Sequence, residues 1–284
     1  MSKKTAWRIA CWVFAVAALV CFCIAGWSVY QRQAAKQTYD DVREEAVLPS
    51  ISPAEGPTLE EILNAPFEGI IDAEETKIPP EVFTGVEEAP IDFEWLESVN
   101  PELYAWIYVP DTQINYPVGQ HEGDNQEYYL SHDLYGTPQF AGCIFSQAPN
   151  ALDFSDPVTV LYGHNMKNGS MFQNLYFYIQ DPDFFNSHRY IYLYMKNRTL
   201  VYEVVSAFYY DNRNILAEND FSDEEVFAEY RGECVNPRSM ERRVREDIEL
   251  DENSRILTLS TCRAGVPTQR YLVQAVLAYE KEID

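Results

Sequence analysis

Arg255-Ile-Leu-Thr-Leu-Ser-Thr-Cys262, followed by Arg263-Ala-Gly-Val-Pro-Thr-Gln269 and then Arg270-Tyr-Leu-Val-Gln-Ala-Val-Leu-Ala-Tyr279, reads as two strands joined by a turn. The first run is apolar and β-branched and ends in small hydroxyl residues and a thiol. Gly265 and Pro267 supply the turn, and the second run alternates with period two. A cysteine at a strand end beside an open turn is reachable by solvent and substrate, whereas a structural cysteine usually sits inside the apolar run. Arg270 opens the last strand eight residues after Cys262. A hairpin of that length returns the guanidinium beside the thiol, where a fixed cation can stabilise an oxyanion. Taken singly, a buried thiol and a solvated arginine are the ordinary alternatives.

Upstream, Val158 to Tyr162 is another strand candidate that ends in Gly163 and His164. A thiol is a weak nucleophile until it is deprotonated, and an imidazole within hydrogen-bond reach can carry that proton. The other histidines, His121, His132 and His188, lie in polar, turn-like surroundings that read as solvated surface. Cys262 as nucleophile, His164 as general acid and base, and Arg270 as oxyanion stabiliser therefore form one candidate constellation. Adjacent Asn165 is the nearest candidate to orient His164.

Further strands are expected at Tyr190 to Tyr194, Thr199 to Tyr209, Arg255 to Leu259 and Tyr271 to Tyr279, with Lys196-Asn-Arg198 as a hairpin turn. Asp92 to Val99 has helical spacing behind an acidic first turn. Leu103, Trp106 and Ile107 suit a second short helix. Ser222 is the expected N-cap of a helix carrying Val226, Phe227 and Tyr230. The domain from 91 to 284 is thus β-rich, with a helix inserted before the cysteine-bearing strand.

The remainder of the chain reads differently. Ile9 to Val29 runs 21 residues without a charge, long enough for a transmembrane signal-anchor helix. Lys3, Lys4 and Arg8 precede it, which favours a cytoplasmic N-terminus over residues 1–8 and an exported remainder. A cleaved signal peptide is the alternative, but no small-x-small cleavage site follows the apolar core. Residues 30–90 are acidic and proline-rich, and read as a largely disordered spacer that holds the domain away from the membrane. The net charge of −24 excludes a nucleic-acid binder, which needs clustered cations.

The six cysteines show no CxxC spacing, so neither a zinc site nor a disulfide framework is expected. Cys143 and Cys234 either pair or, the preferred reading, remain two buried thiols. No cofactor or metal is expected, and the spacer carboxylates read as solvation rather than a calcium site.

The Thr-Leu-Ser-Thr-Cys262 run with Arg270, together with Tyr162-Gly-His-Asn165, resembles the sortases, specifically class B. Asn100-Pro-Glu-Leu-Tyr-Ala-Trp-Ile107, Ile114-Asn-Tyr-Pro-Val118, Glu127-Tyr-Tyr-Leu130 and Gly163-His-Asn-Met-Lys-Asn-Gly-Ser-Met-Phe172 extend the resemblance over nearly all of 91–284. It implies an eight-stranded sortase-type β-barrel with short N-terminal helices. It also implies a cysteine transpeptidase, anchored in the cell membrane with its catalytic domain outside. Such an enzyme cleaves a C-terminal sorting motif after threonine through a Cys262 thioacyl intermediate. The surface protein then passes to an amine of peptidoglycan or its precursor. Ser260 matches a substrate-contacting position, and Asn125 and Leu130 fall in a second substrate-facing stretch. The competing functions are pilin polymerisation, hydrolysis alone as a thiol peptidase, and a non-enzymatic surface scaffold. A papain-like enzyme would place its cysteine before its histidine and at a helix N-terminus, and an L,D-transpeptidase would carry a glycine-rich motif absent here.

Overall fold

The computed structural model describes residues 3–47 and 91–283. Among the described residues nine strands run in chain order: β1 (Leu103–Tyr108), β2 (Asn115–Gly119), β3 (Ile144–Phe145), β4 (Val158–Tyr162), β5 (Tyr190–Met195), β6 (Arg198–Asp211), β7 (Arg242–Val244), β8 (Ile256–Arg263) and β9 (Val266–Glu282). The helices are α1 (Lys3–Ala46), α2 (Phe93–Val99), α3 (Phe177–Gln180), α4 (Pro182–Ser187), α5 (Ile215–Glu218) and α6 (Glu224–Val235). The sheet order is β5-β1-β2-β3-β4-β8-β9-β6-β7, and an additional β5–β6 pairing closes eight of these strands into a barrel. β7 stays outside, paired only along β6. Closure leaves none of the eight barrel strands as a free edge on which a strand of another chain could pair.

β4 and β8 pair in parallel, so the chain between them must cross over, and β5 to β7 with their helices form that crossover. Period-two alternation then separates two cores. Leu161, Leu257, Leu259, Tyr271, Val273 and Ala275 belong to the main core. Val158, Val160, Ile256 and Leu272, on the opposite parity, pack with Phe227, Tyr230 and Cys234 of α6 in a second cluster. The free thiols Cys143 and Cys234 are both buried, one in each cluster, so they do not pair. Burial pushes the Cys143 thiol up to about 12.

Asp92 caps α2, its carboxylate accepting from Trp95 N at 2.8 Å. Several sequence expectations need correction. Leu103 to Ile107 is strand β1, because Leu103, Ala105 and Ile107 alternate into the core and the strand pairs on both sides, with β2 and β5. The N-cap of α6 is Asp223, whose carboxylate accepts from Glu225 N at 2.8 Å; the Ser222 hydroxyl is taken by Asp220 at 2.6 Å. The last strand begins at Val266 rather than Arg270, because the turn is only Ala264-Gly265, with Gly265 at φ +75°.

The first part of the expected spacer is also corrected. Residues 30–46 continue α1, since no proline occurs before Pro49 and one helical stripe is apolar. Ala35, Tyr39, Val42 and Ala46 lie on that stripe and are buried against the barrel. Tyr39 packs edge-on against Tyr116 at 5.3 Å and donates its hydroxyl to the Gly142 carbonyl. The expected spacer over 48–90 lies outside the described residues, but its flanks meet: Val47 bridges Ile91, and Asp92 N donates to Ala46 O at 2.8 Å. The apolar part of α1 is long and apolar enough to cross a membrane.

Candidate active site

Strand register builds the site. In the parallel pair, Tyr162 of β4 sits opposite Ser260 of β8. His164 and Cys262 each lie two residues further on, so the same pleat parity carries both to the C-terminal end of neighbouring strands. On the other side of β8, Cys262 is the cross-strand partner of Arg270. Three adjacent strands therefore present His164, Cys262 and Arg270 in a row. A register jump between Cys262 and Arg263 leaves Pro267 to Gln269 looped out of the β8–β9 pairing.

Tight packing fixes the turn that carries His164. A Cβ on Gly163 would sit 2.5 Å from Ile144 Cδ1 and 2.8 Å from Phe172 Cδ2, so any larger residue would displace the Phe172 ring and the end of Ile144. Gly163 N donates to Ser260 O at 3.2 Å, and the buried Thr261 hydroxyl donates to Gly163 O at 2.7 Å. His164 is half-buried beneath Phe140, whose ring stacks on it at 5.4 Å. Its Nε2 lies 2.8 Å from the Leu130 carbonyl. A carbonyl oxygen only accepts, so Nε2 carries the hydrogen and, in the neutral ring, Nδ1 is the basic nitrogen. Burial holds the imidazole below its usual value, and the Leu130 bond opposes that shift.

Asn165 does not orient His164: its Nδ2 donates to Cys262 O at 2.9 Å. The Tyr176 hydroxyl donates to the same carbonyl at 3.2 Å and accepts from Ala264 N at 3.0 Å. Two side chains thus hold the main chain of the exposed Cys262 at the point where the β8–β9 ladder breaks. Arg270 Nη1 donates to Pro267 O at 3.1 Å, which ties the guanidinium to the looped-out segment.

His164, Cys262, Arg270, Ser260 and Leu130 line one cleft on the outer face of the barrel. Asn125 is not in its lining; exposed, it turns the chain before Tyr128–Leu130, accepting from Glu127 N at 3.1 Å. Glu127, Gln147, Tyr162, Tyr210 and Asn214 also line the cleft and were not singled out from the sequence. Only Tyr162 carried a usable signal, since it shares strand parity with His164. Asn214 Nδ2 donates to Gln147 Oε1 at 3.0 Å and joins α5 to the loop after β3 as one wall. The other histidines are not simply solvated. His121 pairs with Glu102 at 2.9 Å, His188 pairs with Asp111 at 2.8 Å, and His132 stacks on Tyr128 at 3.9 Å. Among the described residues no group of three or more His, Cys, Asp or Glu side chains could hold a metal ion.

A buried hydrogen-bond ring lies further along the strands that carry Cys262 and Arg270, outside the lining of the cleft. Tyr230 OH and Thr258 Oγ1 are 2.8 Å apart, Thr258 donates to Gln274 Oε1 at 2.7 Å, and Gln274 Nε2 donates to Tyr230 OH at 3.0 Å. The ring ties α6 to β8 and β9, with Thr258 and Gln274 each four residues from Cys262 and Arg270 along their strands.

Comparison with known proteins gives one consistent result. Residues 107–278 match the family model described as a sortase domain. Sortase B of Listeria monocytogenes is 34% identical over 174 residues, covering 59% of this chain and 65%, just under two thirds, of that protein. Sortase B of Staphylococcus aureus is 29% identical over 185 residues, covering 64% of this chain and 73% of the relative. The crystal structure of Clostridium perfringens sortase B superimposes with a TM-score of 0.58 at 31% identity, covering 68% of this chain and all of that one.

Proposed function

Since this chain belongs to the sortase family, with sortase B proteins as its relatives, we propose that it is a transpeptidase with Cys262 as nucleophile, His164 as proton carrier and Arg270 as oxyanion stabiliser. The observation that carries this reading is the register of β4, β8 and β9, which sets the three residues side by side over a single cleft.

The Cys262 thiol gives its proton to His164, and the thiolate Sγ attacks the carbonyl carbon after the threonine of a C-terminal sorting motif. Arg270 holds the resulting oxyanion, a role typically worth about 10²–10³ in rate. As the tetrahedral intermediate collapses, the C–N bond breaks and the leaving amine takes a proton from His164, leaving a thioester on Cys262. An amine of peptidoglycan or its precursor then gives a proton to His164 and attacks the thioester. The acyl C–S bond of the thioester breaks, Cys262 leaves as the thiolate, and the surface protein is released on its new amide. Ser260 and Leu130 sit along the same cleft as substrate contacts; Asn125 acts only through the turn that positions Leu130. α1 anchors the enzyme with residues 1–8 in the cytoplasm and the catalytic domain outside.

The test is cleavage of quenched sorting-motif peptides, with and without a small amine. Cys262→Ala is expected to abolish cleavage and thioacyl formation. His164→Ala should lower the rate by about 10²–10⁴, and Arg270→Ala by about 10²–10³. Cleavage without an amine-linked product across several acceptors would make the protein a hydrolase. No thioacyl adduct from folded protein across a broad peptide library would remove the enzymatic reading.

A further inference from the structure

The aromatic ring over His164 also marks where the domain meets its surroundings. Phe140 is 65% exposed, yet it lines a groove with Pro138 and Met166 on the domain and with Trp27, Ser28 and Gln31 on α1. Trp27 lies about one helical turn before the uncharged run ends at Arg32. Aromatic side chains at such ends sit at the headgroup level of a bilayer. The shared groove therefore sets Phe140 at the height of the outer membrane boundary, and the docked stripe from Ala35 to Ala46 holds it there.

Charge points the same way. The chain carries −24 overall, but residues 128–142, which include Leu130 and Phe140, contain no lysine, arginine or glutamate. Their one carboxylate, Asp133, is buried and accepts from Tyr135 N at 3.0 Å and Thr137 N at 2.9 Å. The part of the segment at Phe140, which shares the groove with Trp27, can enter an interfacial layer without desolvating an exposed charge, whereas Tyr135 lies further along α1 beside Asp41 and Glu45 and stays outside it.

We propose that the Phe140 end of the catalytic cleft rests in the headgroup–acyl boundary of the bilayer that α1 crosses, so that the cleft opens at the membrane surface. This rests on reading α1 as the membrane anchor. A substrate tethered to the same leaflet by a lipid or an apolar helix then reaches Cys262 by lateral diffusion.

The experiment uses the full chain in vesicles of phosphatidylcholine and phosphatidylglycerol, with p-benzoylphenylalanine replacing one residue at a time. Phe22, 80% exposed within the apolar run, reports the anchor, and Phe140 reports the proposal. Leu152 is the control: it is 49% exposed beside Asp153, whose carbonyl binds Arg198 at the far end of β9. After irradiation, phospholipid adducts are expected at positions 22 and 140 and not at 152. An adduct at 22 without one at 140 overturns the proposal and leaves the anchor standing. Adducts at neither overturn both, and an adduct at 152 as well overturns the orientation. In parallel, Phe140→Asp should raise KM for a lipid-anchored peptide roughly fivefold more than for the free peptide. Equal changes for the two peptides count against the proposal.

Discussion

His164 titrates under a cover, and the direction of its shift has two measurable results. An exposed imidazole titrates near about 6.5, and burial beneath Phe140 and the Leu130 loop lowers that of His164. Proton titration followed by NMR should therefore give a midpoint below the ordinary value, and Phe140→Ala should move it back up by wetting the ring. Stability follows by linkage. As pH falls below about 6.5 the unfolded chain takes up a proton that folded His164 resists, so stability is lost from there down to the folded midpoint. His164→Gln removes that loss, and its melting temperature should fall less between neutral and mildly acid pH than that of the parent chain. At this scale the sequence singled out Cys262, His164 and Arg270, and the strand register brings these three together, although Arg270 lies inside the last strand and not at its start. It was silent on Glu127, Tyr210 and Asn214, because these reach the cleft from loops and a distant strand whose positions no local pattern encodes.

Elements were legible where their period is set by a sheet with two different faces. β4 spans Val158–Tyr162 as read, and Lys196-Asn197 turns β5 into β6 as expected. The short β1 was misread because Leu103, Trp106 and Ile107 satisfy helical spacing as well, and only pairing with β2 and β5 decides between the two. β7 carries too little apolar sequence to be seen. Besides the apolar cluster around Phe227 and Cys234, α6 is tied to the barrel by the Tyr230–Thr258–Gln274 ring, a satisfied polar network in a dry place. Tyr230→Phe leaves two buried partners short of a hydrogen bond and should cost about 1–3 kcal/mol in chemical denaturation. A change near zero would mean that water or a neighbour replaces the hydroxyl.

Over the whole molecule, the unexpected feature is that α1 does not stop where its apolar run ends. Its stripe of Ala35, Tyr39, Val42 and Ala46 is thin, and the prolines that follow suggested extended chain; burial against the barrel makes the helix, and that burial is a tertiary fact. A chain beginning at Gln31 should therefore be more stable than one beginning at Ile91, by about 3–5 kcal/mol from the apolar surface covered, which corresponds to roughly 10 °C in Tm. Equal melting temperatures would show that the docked stripe contributes nothing. The bridge between Val47 and Ile91 has a consequence of its own. It makes residues 48–90 an insert with a closed neck, so this stretch can be spliced out and the neck rejoined by a tight turn without moving Cys262 or the helix that holds its domain. A roughly tenfold shorter connection lowers the entropic cost of closing the neck by about 2 kcal/mol. The excised protein should melt higher and still turn over, as a single chain whose long first helix and barrel are joined by a hairpin.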